Sequence, residues 1–571
     1  MKSSEITYNL SAFAQIEPQK ATPLIYKSIA KRLSISIVML VMFFLATSYV
    51  SEKNATYDLR NEFYSLEMFN GLSHALEVNS CRLLTDESGV NASHLVYKMY
   101  QKNGFKPVWT INHRLNSSAT EIIQLINNAA YYGLDKRFYH VDQINWLCTN
   151  MVKTRNSDSL LMLRQDLELL LTDASLNFMI HLHKGIIPPD SLFNDVFNNA
   201  LIEYLSKGIR HQNAAERILA LQPKNMHYRN LQNALVKFLN DNIIDNEIIE
   251  IPEPDKDSAM SYNLAKVVLT KLGYLAKSDN VSDTAILKAT KEFQKYHGLA
   301  ADGILNKNTC KAMSVSTRER YLKIALNLDR LRKDVDYRNE CVFVNIPSYQ
   351  LRVIKENKVN RIFNVVVGRP YTPTPEISSK IERITIIPEW NVPRSITMNE
   401  ILPRVKKDST YLARNNFKVI DKQLNEVSVN EIGWKDMNRE NFDYYFVQRS
   451  GNSNALGLLK FSFNNPYRIY IHDTPSKRYF NKDIRAFSHG CVRLEHPDQL
   501  ASYLVENHMG NEQKPDIRNL VTRRIHEEIS LTEPIDIHIR YLTCEADDNL
   551  NLYFYKDIYN RDETSIQALF N

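Results

Sequence analysis

The sequence predicts a multidomain α+β protein with a single N-terminal transmembrane helix, and three observations support this class. The 571 residues exceed what one core accommodates, since domains usually hold about 100 to 150 residues. Helical spacing of apolar residues prevails up to residue 317, whereas short alternating strands prevail from Glu340 onward. An uncharged run at 33–50 is long enough for one bilayer crossing.

The uncharged run, LSISIVMLVMFFLATSYV, separates two segments of different charge. Only basic charges stand in the short stretch before it: Lys20, Lys27, Lys31 and Arg32. Acidic residues outnumber basic ones just after it. By the positive-inside rule, residues 1–32 form a cytoplasmic tail, residues 33–50 form the anchor, and the rest lies outside. A cleaved signal peptide is the alternative, because Ala46 and Ser48 are small enough for a cleavage site.

The composition excludes several classes of function. The 71 basic and 65 acidic residues are interspersed, so the net charge of +6 forms no concentrated basic face, and no nucleic-acid partner is expected. The cysteines contain no CxxC pair, which argues against a zinc ribbon or a dense disulfide framework. They are Cys81, Cys148, Cys310, Cys341, Cys491 and Cys544.

Residues 55–255 are predicted to form a helical domain with a structural or docking role. Apolar residues recur three and four apart in the segment 160–185, which predicts a long helix. His181 and His183 lie two residues apart on it, so they point to different faces and make a poor pair of metal ligands. A polar, proline-containing stretch at 247–261 indicates a linker that ends this domain.

Residues 262–316 read as three short helices joined by turns. The segment AILKATKEFQKYHGLAADGILNKNT resembles the small three-helix peptidoglycan-binding module. The matching residues are Phe293, Gln294, His297, Gly298, Leu299, Asp302, Gly303 and Thr309. The resemblance implies a peptidoglycan-binding domain at 260–317. Asn306 stands where that module usually has a second glycine, and Asn is the next best residue for a positive φ. A generic helix hairpin is the alternative.

A sheet-rich domain is expected from Glu340 onward. CVFVNIPSYQLRVIKENKVNRIFNVVVG predicts three strands with turns at Ser348 and Asn357. The segment 395–420 regains helical spacing, so a partly helical cap at about 395–446 is expected inside the β domain. Such an insertion often acts as a lid over a site.

The stretch RAFSHGCVRL places a serine, a histidine, a glycine and a cysteine side by side. Side chains alternate between the two faces of a strand. This alternation predicts that Cys491 and Arg493 face away from the core, as His472 does in the strand YRIYIHDT. A cysteine becomes a nucleophile when a histidine accepts its proton or a nearby cation stabilises the thiolate. Cys491 is therefore a candidate nucleophile, with His472, His489 and Arg493 as supporting residues.

The same residues have two alternative interpretations. Zinc takes both histidine and cysteine ligands, but a separation of two residues between His489 and Cys491 is unusual for a zinc site, so no metal is predicted. An inert core cysteine is disfavoured by the polar, glycine-containing context.

The constellation resembles the L,D-transpeptidase catalytic domain of the YkuD type, whose pattern is a histidine followed, after a spacer, by S/T-H-G-C. Here 15 residues separate His472 from the motif Ser488, His489, Gly490 and Cys491. The order of anchor, helical domain, wall-binding module and capped catalytic domain, here 339–565, is similar to YcbB-like members. EWNVPRSI, NALG, YIHDTPSK and DIYNRDE add to this resemblance.

The resemblance implies a function and a set of roles. Cys491 would attack the peptide bond after the third residue of a peptidoglycan stem, with His472 as general base and later general acid, oriented by the backbone carbonyl of Asp473. Donors in the loop of His489, Gly490 and Cys491 would hold the oxyanion. The implied substrate-binding residues are Arg493, Tyr470, Trp390 and Ser488. No cofactor is implied.

The resemblance also implies a product, partners and a location. An amine of meso-diaminopimelate as acyl acceptor would give 3-3 cross-links, whereas water would make the site an L,D-carboxypeptidase. A cysteine endopeptidase and a non-catalytic wall-binding scaffold are further alternatives. Peptidoglycan stems, the inner membrane and other cell-wall synthases are the expected partners, with the bulk of the chain in the periplasm.

Overall fold

The computed structural model describes residues 68–73, 93–111, 114–187, 194–277, 281–334, 340–510 and 514–570. The predicted cytoplasmic tail (1–32) and transmembrane anchor (33–50) lie outside these residues. Within the described ranges, no helix combines the length and the apolar composition that a membrane crossing needs.

A helical domain follows, as predicted. Its helices are Ser93–Lys102, Ser117–Asn127, Val141–Lys153, Ser157–Lys184, Asp195–Arg210, Ala214–Leu219 and Met226–Asp241, with a small hairpin of β1 (Thr110–Ile111) and β2 (Arg114–Leu115). The helix Ser157–Lys184 is central, because every residue from 167 to 182 is buried. It ends at Gly185, whose φ is 88°. The long helix predicted in the segment 160–185 is confirmed.

The two histidines of the central helix contact different partners. His181 is buried, and its Nδ1 lies 3.0 Å from the hydroxyl of Tyr139. Nδ1 of His183 lies 3.2 Å from the carbonyl oxygen of Leu221. Both side chains take part in packing the helical domain.

Two segments from much later in the chain complete the helical core. The helix Thr317–Arg332 contributes Ala325 and Leu326, and the helix Asp562–Phe570 contributes Leu569 and Phe570. The opposite face of Thr317–Arg332 packs against strands of the β domain. This helix therefore joins the helical core to the β domain.

A three-helix module lies between these parts of the chain. Its helices are Ser258–Lys271, Asp283–Tyr296 and Lys307–Met313. Its core centres on the fully buried Phe293. The expectation of a positive φ at Asn306 is wrong: φ is −92°, and the side chain caps the third helix by accepting from the Thr309 amide. N-capping, at which Asn is among the best residues, explains this position better than turn strain does.

The module is docked on the β domain through His297. The imidazole stacks on Phe293, with ring centroids 3.7 Å apart, and on Phe554 at 5.5 Å. Its Nε2 lies 2.8 Å from Nη1 of Arg320 in the joining helix. A residue of the wall-binding motif thus holds the module against its neighbours.

The β domain contains most of the strands. They are β3 (Cys341–Asn345), β4 (Gln350–Lys355), β5 (Lys358–Gly368), β6 (Ile377–Ile386), β7 (Trp390–Asn391), β8 (Phe417–Ile420), β9 (Glu426–Val427), β10 (Tyr445–Gln448), β11 (Leu459–Phe463), β12 (Ile471–His472), β13 (Ala486–Ser488), β14 (Val492–Leu494), β15 (Glu527–Arg540), β16 (Cys544–Ala546) and β17 (Leu552–Phe554). The three strands predicted at the start of the domain, with turns at Ser348 and Asn357, are confirmed as β3, β4 and β5.

Nine of these strands form one sheet in the order β13-β5-β14-β12-β11-β6-β15-β3-β4. Because β4 also pairs with β5, all of them except β13 close into a ring. The helix Pro497–His508 packs on the core through Leu500 and Leu504, and the helix Ile517–Thr522 follows it.

The cap between β6 and β11 contains more strand than predicted. It has a sheet in the order β7-β10-β8-β9, the short helices Arg394–Ile396, Leu402–Lys407 and Tyr411–Arg414, and a π-helical turn at Thr397–Ile401. The helical prediction for 395–420 is wrong at its end, where β8 begins. There Phe417 and Val419 are buried and alternate with more exposed neighbours, which is the period of a strand.

Candidate active site

Three neighbouring strands, β14, β12 and β11, carry the predicted site. Ile471 pairs with Val492, and both side chains enter the core. The following pair, His472 and Arg493, faces the other side, and Lys460 of β11 pairs with His472. Because strand partners in register share a face, the three basic side chains form a row across the sheet. The predicted outward direction of His472 and Arg493 is confirmed.

His472 is buried and has a fixed orientation. Its Nδ1–H donates to the carbonyl oxygen of Asp473 at 2.5 Å, so Nε2 carries the lone pair. Burial, reinforced by the charges of Arg493 and Lys460, lowers the pKa of His472 to about 3. The imidazole is therefore neutral at neutral pH and able to accept a proton.

Asp473 is held from two sides. Its Oδ2 accepts from the Leu458 amide at 2.9 Å, and its Oδ1 pairs with the ammonium of Lys477. Gly457 lies against this carboxylate with a φ of +62°, and a β-carbon there would come within 2.3 Å of Oδ2. A glycine at 457 therefore permits the backbone position that orients His472.

Ser488, Gly490 and Cys491 form a tight loop. The Ser488 hydroxyl donates to the Cys491 carbonyl at 2.6 Å and accepts from the Gly490 amide at 3.1 Å. Gly490 has a φ of +111°, which L residues rarely adopt. The hydroxyl of Thr374 donates to the Gly490 carbonyl at 2.8 Å. Since Ser488 is buried, its hydroxyl serves the shape of the loop.

The thiol of Cys491 lies beside Tyr470 and is partly buried. Tyr470 lies between Cys491 and Trp390, since its hydroxyl interacts with both side chains. Burial raises the pKa of the Cys491 thiol, although Tyr470, Lys460 and Arg493 act in the opposite direction. The net rise keeps the thiol protonated at neutral pH, so a base has to accept its proton.

His489 contacts the cap. Its Nε2 lies 2.5 Å from Oε1 of Glu400, in the π-helical turn Thr397–Ile401. Together with the side chain of Trp390 beside Tyr470, this pair gives the cap two contacts with the region around the nucleophile.

The two cations beside His472 have no carboxylate partner among the residues that the structure describes. The buried Nε of Arg493 makes no hydrogen bond, and burial lowers the pKa of the guanidinium. The ammonium of Lys460 lies 4.7 Å from the centre of the Tyr470 ring, and burial lowers its pKa. The site is therefore positively charged and suited to an anionic ligand.

Lys460 and Glu400 were not predicted from the sequence. A signal for Lys460 existed, because it interrupts the apolar strand LKFSF at a position that period two places opposite the core. Glu400 gave no such signal, since it meets His489 across 89 positions of sequence.

In the described part of the chain, no group of three or more His, Cys, Asp or Glu side chains could hold a metal ion. Cys491 is a free thiol, and so are four other described cysteines, Cys148, Cys310, Cys341 and Cys544. Burial raises the thiol pKa of each, for Cys341 to about 12. Cys81 lies outside the described residues.

Three segments match family models. Residues 339–512, which contain the site, match the model described as the L,D-transpeptidase catalytic domain. This segment is an L,D-transpeptidase catalytic domain. Residues 263–313 match the model described as "Putative peptidoglycan binding domain", and residues 94–235 match a scaffold domain. A peptidoglycan-binding domain therefore accompanies the L,D-transpeptidase domain, and both predicted resemblances are confirmed.

A curated protein from Haemophilus influenzae matches part of this chain. The protein, named "Putative L,D-transpeptidase", is 34% identical to this chain over 240 residues. The match covers 42% of this chain and 48% of the relative, so the chain spans about half the length of the curated relative that it matches. The similarity supports the L,D-transpeptidase assignment of the catalytic domain.

Proposed function

We propose that the protein is an L,D-transpeptidase that forms 3-3 cross-links between peptidoglycan stems. The observation that carries this proposal is a neutral imidazole, His472, which the Asp473 carbonyl fixes beside Lys460 and Arg493, the two cations that also act on the Cys491 thiol. A thiol and a neutral imidazole in one site suit acyl transfer through a thioester. The peptidoglycan-binding domain supports the wall as the source of substrate.

The first half of the reaction is acylation of Cys491. His472 accepts the thiol proton on Nε2, and the sulfur attacks the carbonyl carbon of the third stem residue. The C–N bond then breaks, and His472 returns the proton to the departing amine. A thioester and a free amino acid result.

The second half is transfer of the acyl group. The side-chain amine of a diaminopimelate residue attacks the thioester, and a proton passes from this amine to His472 and then to the sulfur. A new amide forms, and the thiol is regenerated. With water as the nucleophile, the same site would be an L,D-carboxypeptidase.

The oxyanion of each step is held by the loop of the nucleophile. The amides of His489 and Cys491 donate to no atom of the described residues, whereas the Gly490 amide is occupied by Ser488. We assign the first two as oxyanion donors, with Gly490 and Ser488 shaping the loop. Arg493, Tyr470 and Trp390 line the substrate side.

The proposed location follows from the sequence. The uncharged run at 33–50, preceded by basic residues, anchors the protein in the inner membrane with the bulk of the chain in the periplasm. Binding of other cell-wall synthases would occur on the periplasmic domains.

Cys491→Ala tests the function. The protein is incubated with tetrapeptide muropeptides, and the products and the intact protein are analysed by mass spectrometry. Wild type is expected to give cross-linked dimers and a thioester on Cys491, whereas Cys491→Ala gives neither while keeping its circular dichroism spectrum, because its only candidate nucleophile is gone. Cys148→Ala, away from the site, is the matched control.

Other products would support the alternatives. Tripeptides without dimers would identify an L,D-carboxypeptidase, and cleavage of existing cross-links would identify an endopeptidase. A folded wild type with no turnover would identify a wall-binding scaffold.

A further inference from the structure

Lys460 is the one residue in the basic row without an assigned role. It lies on β11 beside His472, and its ammonium has neither a hydrogen bond nor an ion pair with a described residue. Its ammonium lies over the ring of Tyr470, whose side chain interacts with the Cys491 thiol. A half-buried cation in this position is costly unless an anion arrives.

Among the residues that the structure describes, no carboxylate forms an ion pair with Lys460. The row continues through Thr385 to Glu528 on the far side. Glu528 attracts Lys460 electrostatically, but its carboxylate is bonded to Arg383 at 3.2 Å. The carboxylate of a ligand would therefore meet an ammonium that no described carboxylate pairs with.

The position of Lys460 indicates which part of a substrate would reach it. Lys460 pairs with His472 on the neighbouring strand, and its ammonium lies over the Tyr470 ring, where its charge also acts on the Cys491 thiol. The amine that leaves in acylation takes a proton from His472, so it comes close to this residue. A carboxylate beside that amine would therefore come close to Lys460.

We propose that Lys460 binds the α-carboxylate of the amino acid whose amine leaves in acylation and enters in transfer. The inference rests on the proposed function and names the chemical group that the site recognises. The departing fourth residue of a tetrapeptide and the accepting centre of diaminopimelate are both α-amino carboxylates. One cation therefore serves both halves of the reaction through a charge-assisted hydrogen bond.

Paired substrates test this role. Acylation is measured by mass spectrometry with a tetrapeptide stem that ends in a free carboxylate and with the same stem ending in a carboxamide. Lys460→Met keeps the packing on Tyr470 but removes the charge. We expect its kcat/KM for the acid to fall by about tenfold or more, while the amide changes by less than about twofold. Lys460→Arg should restore most of the preference for the acid.

Lys380→Met is the matched control, because Lys380 lies on the same sheet in an exposed pair with Asp536. It should leave both substrates unchanged. Lys460→Met should also shift products from dimers toward tripeptides, because water, unlike the acceptor stem, has no carboxylate to bind.

Equal losses on the acid and the amide would overturn the proposal, since they would mean that Lys460 acts only through the charges of Cys491 and His472. An unchanged acid preference would overturn it as well. A wild type that forms no thioester with either stem would instead contradict the proposed function.

Discussion

A neutral imidazole stands between two cations at the catalytic face. Lys460 and Arg493 disfavour the protonated form of His472, and burial acts in the same direction. The pKa of His472 is lowered to about 3 in the folded protein, from an ordinary value of 6.5. Between these two pH values the unfolded chain binds more protons at this residue than the folded protein does. His472 therefore lowers the free energy of unfolding as the pH falls from about 6.5 to about 3. Because of the same lowered pKa, His472 stays unprotonated at mildly acidic pH and can still accept a proton.

The rate of acylation should therefore have no acid limb near pH 6.5. We expect the second-order rate constant for thioester formation to stay level from about pH 8 down to about pH 4. Arg493→Met removes a positive neighbour, which raises the pKa of His472, and an acid limb should appear at higher pH in this variant. The measurement is acylation across a pH series with intact-mass detection.

Lys477→Met controls for the loss of a charge, since its ammonium pairs with Asp473 instead of facing the imidazole. An acid limb near pH 6.5 in the wild type would contradict the neutral, buried imidazole.

Gly457→Ala should impair acylation strongly. A β-carbon at 457 would meet the carboxylate of Asp473 at 2.3 Å, and moving that residue displaces the carbonyl that orients His472. We expect a loss of about a hundredfold in kcat/KM, because small misplacements of catalytic groups carry large losses in rate. Steady-state assays measure it.

Gly510→Ala is a matched control. Gly510 also has a left-handed backbone, with φ +59°, but nothing lies within 4 Å of its added β-carbon. Both variants carry the same backbone strain of about 1 kcal/mol. Equal activity of the two would show that the contact with Asp473 does not matter.

At the scale of elements, the cap meets the region of the nucleophile at two places, the pair of Glu400 with His489 and the side chain of Trp390 beside Tyr470. The ion pair of Glu400 and His489 is about one third exposed, so it contributes at most about 1 kcal/mol. Trp390 acts on Tyr470, which in turn acts on the Cys491 thiol. Both contacts therefore link the cap to the surroundings of the nucleophile.

A carbapenem should form an adduct on Cys491 that the cap protects from water. Opening of its strained ring by the thiolate gives an acyl-enzyme, which intact-mass measurement and peptide mapping would place. Glu400→Ala weakens closure, so the adduct should be lost about two- to fivefold faster than in the wild type. Glu431→Ala, on an exposed cap residue, is the control. Labelling of Cys341 or Cys544 instead would argue against the site.

The strands of the β domain and the loop of the nucleophile could be predicted, because both depend on local patterns. The alternation of strand residues placed Arg493 and His472 on one face, and the register of β12 and β14 agrees. The sheet of the cap was missed because its strands are two to four residues long, too short for alternation to stand out, and they pair across distant parts of the insertion. Pairs such as Glu400 with His489 depend on the fold and have no local pattern.

At the scale of the whole molecule, the peptidoglycan-binding module is fixed by packing. His297 lies between Phe293 of the module and Phe554 of the β domain, while Arg320 reaches its Nε2. The matches to the module's motif predicted a peptidoglycan-binding domain, and one of the matching residues, His297, is buried at the interface. Motif positions reveal which residues recur in a module and leave open whether they face a ligand or a neighbour.

Phe554→Ala should loosen the module. Removing a buried aromatic ring from the contact with His297 should lower the free energy of unfolding by about 3 kcal/mol. Hydrogen exchange in residues 263–313 should quicken, and chemical denaturation gives the energy. Tyr467→Ala, an exposed aromatic residue of the β domain, should change stability by less than about 0.5 kcal/mol. Unchanged exchange in the module would mean that other contacts hold it.

The helical core that closes on Leu569 and Phe570 has a consequence for biogenesis. Arg137 donates to the carbonyl of Phe570 at 2.6 Å. An early part of the helical domain therefore packs against residues more than four hundred positions downstream. Domains generally fold as units in their order along the chain, the N-terminal ones first. Here the helices around Ser157–Lys184 remain without part of their packing until residue 570 has been translated, and during that interval they are the part of the chain on which a holding chaperone would act.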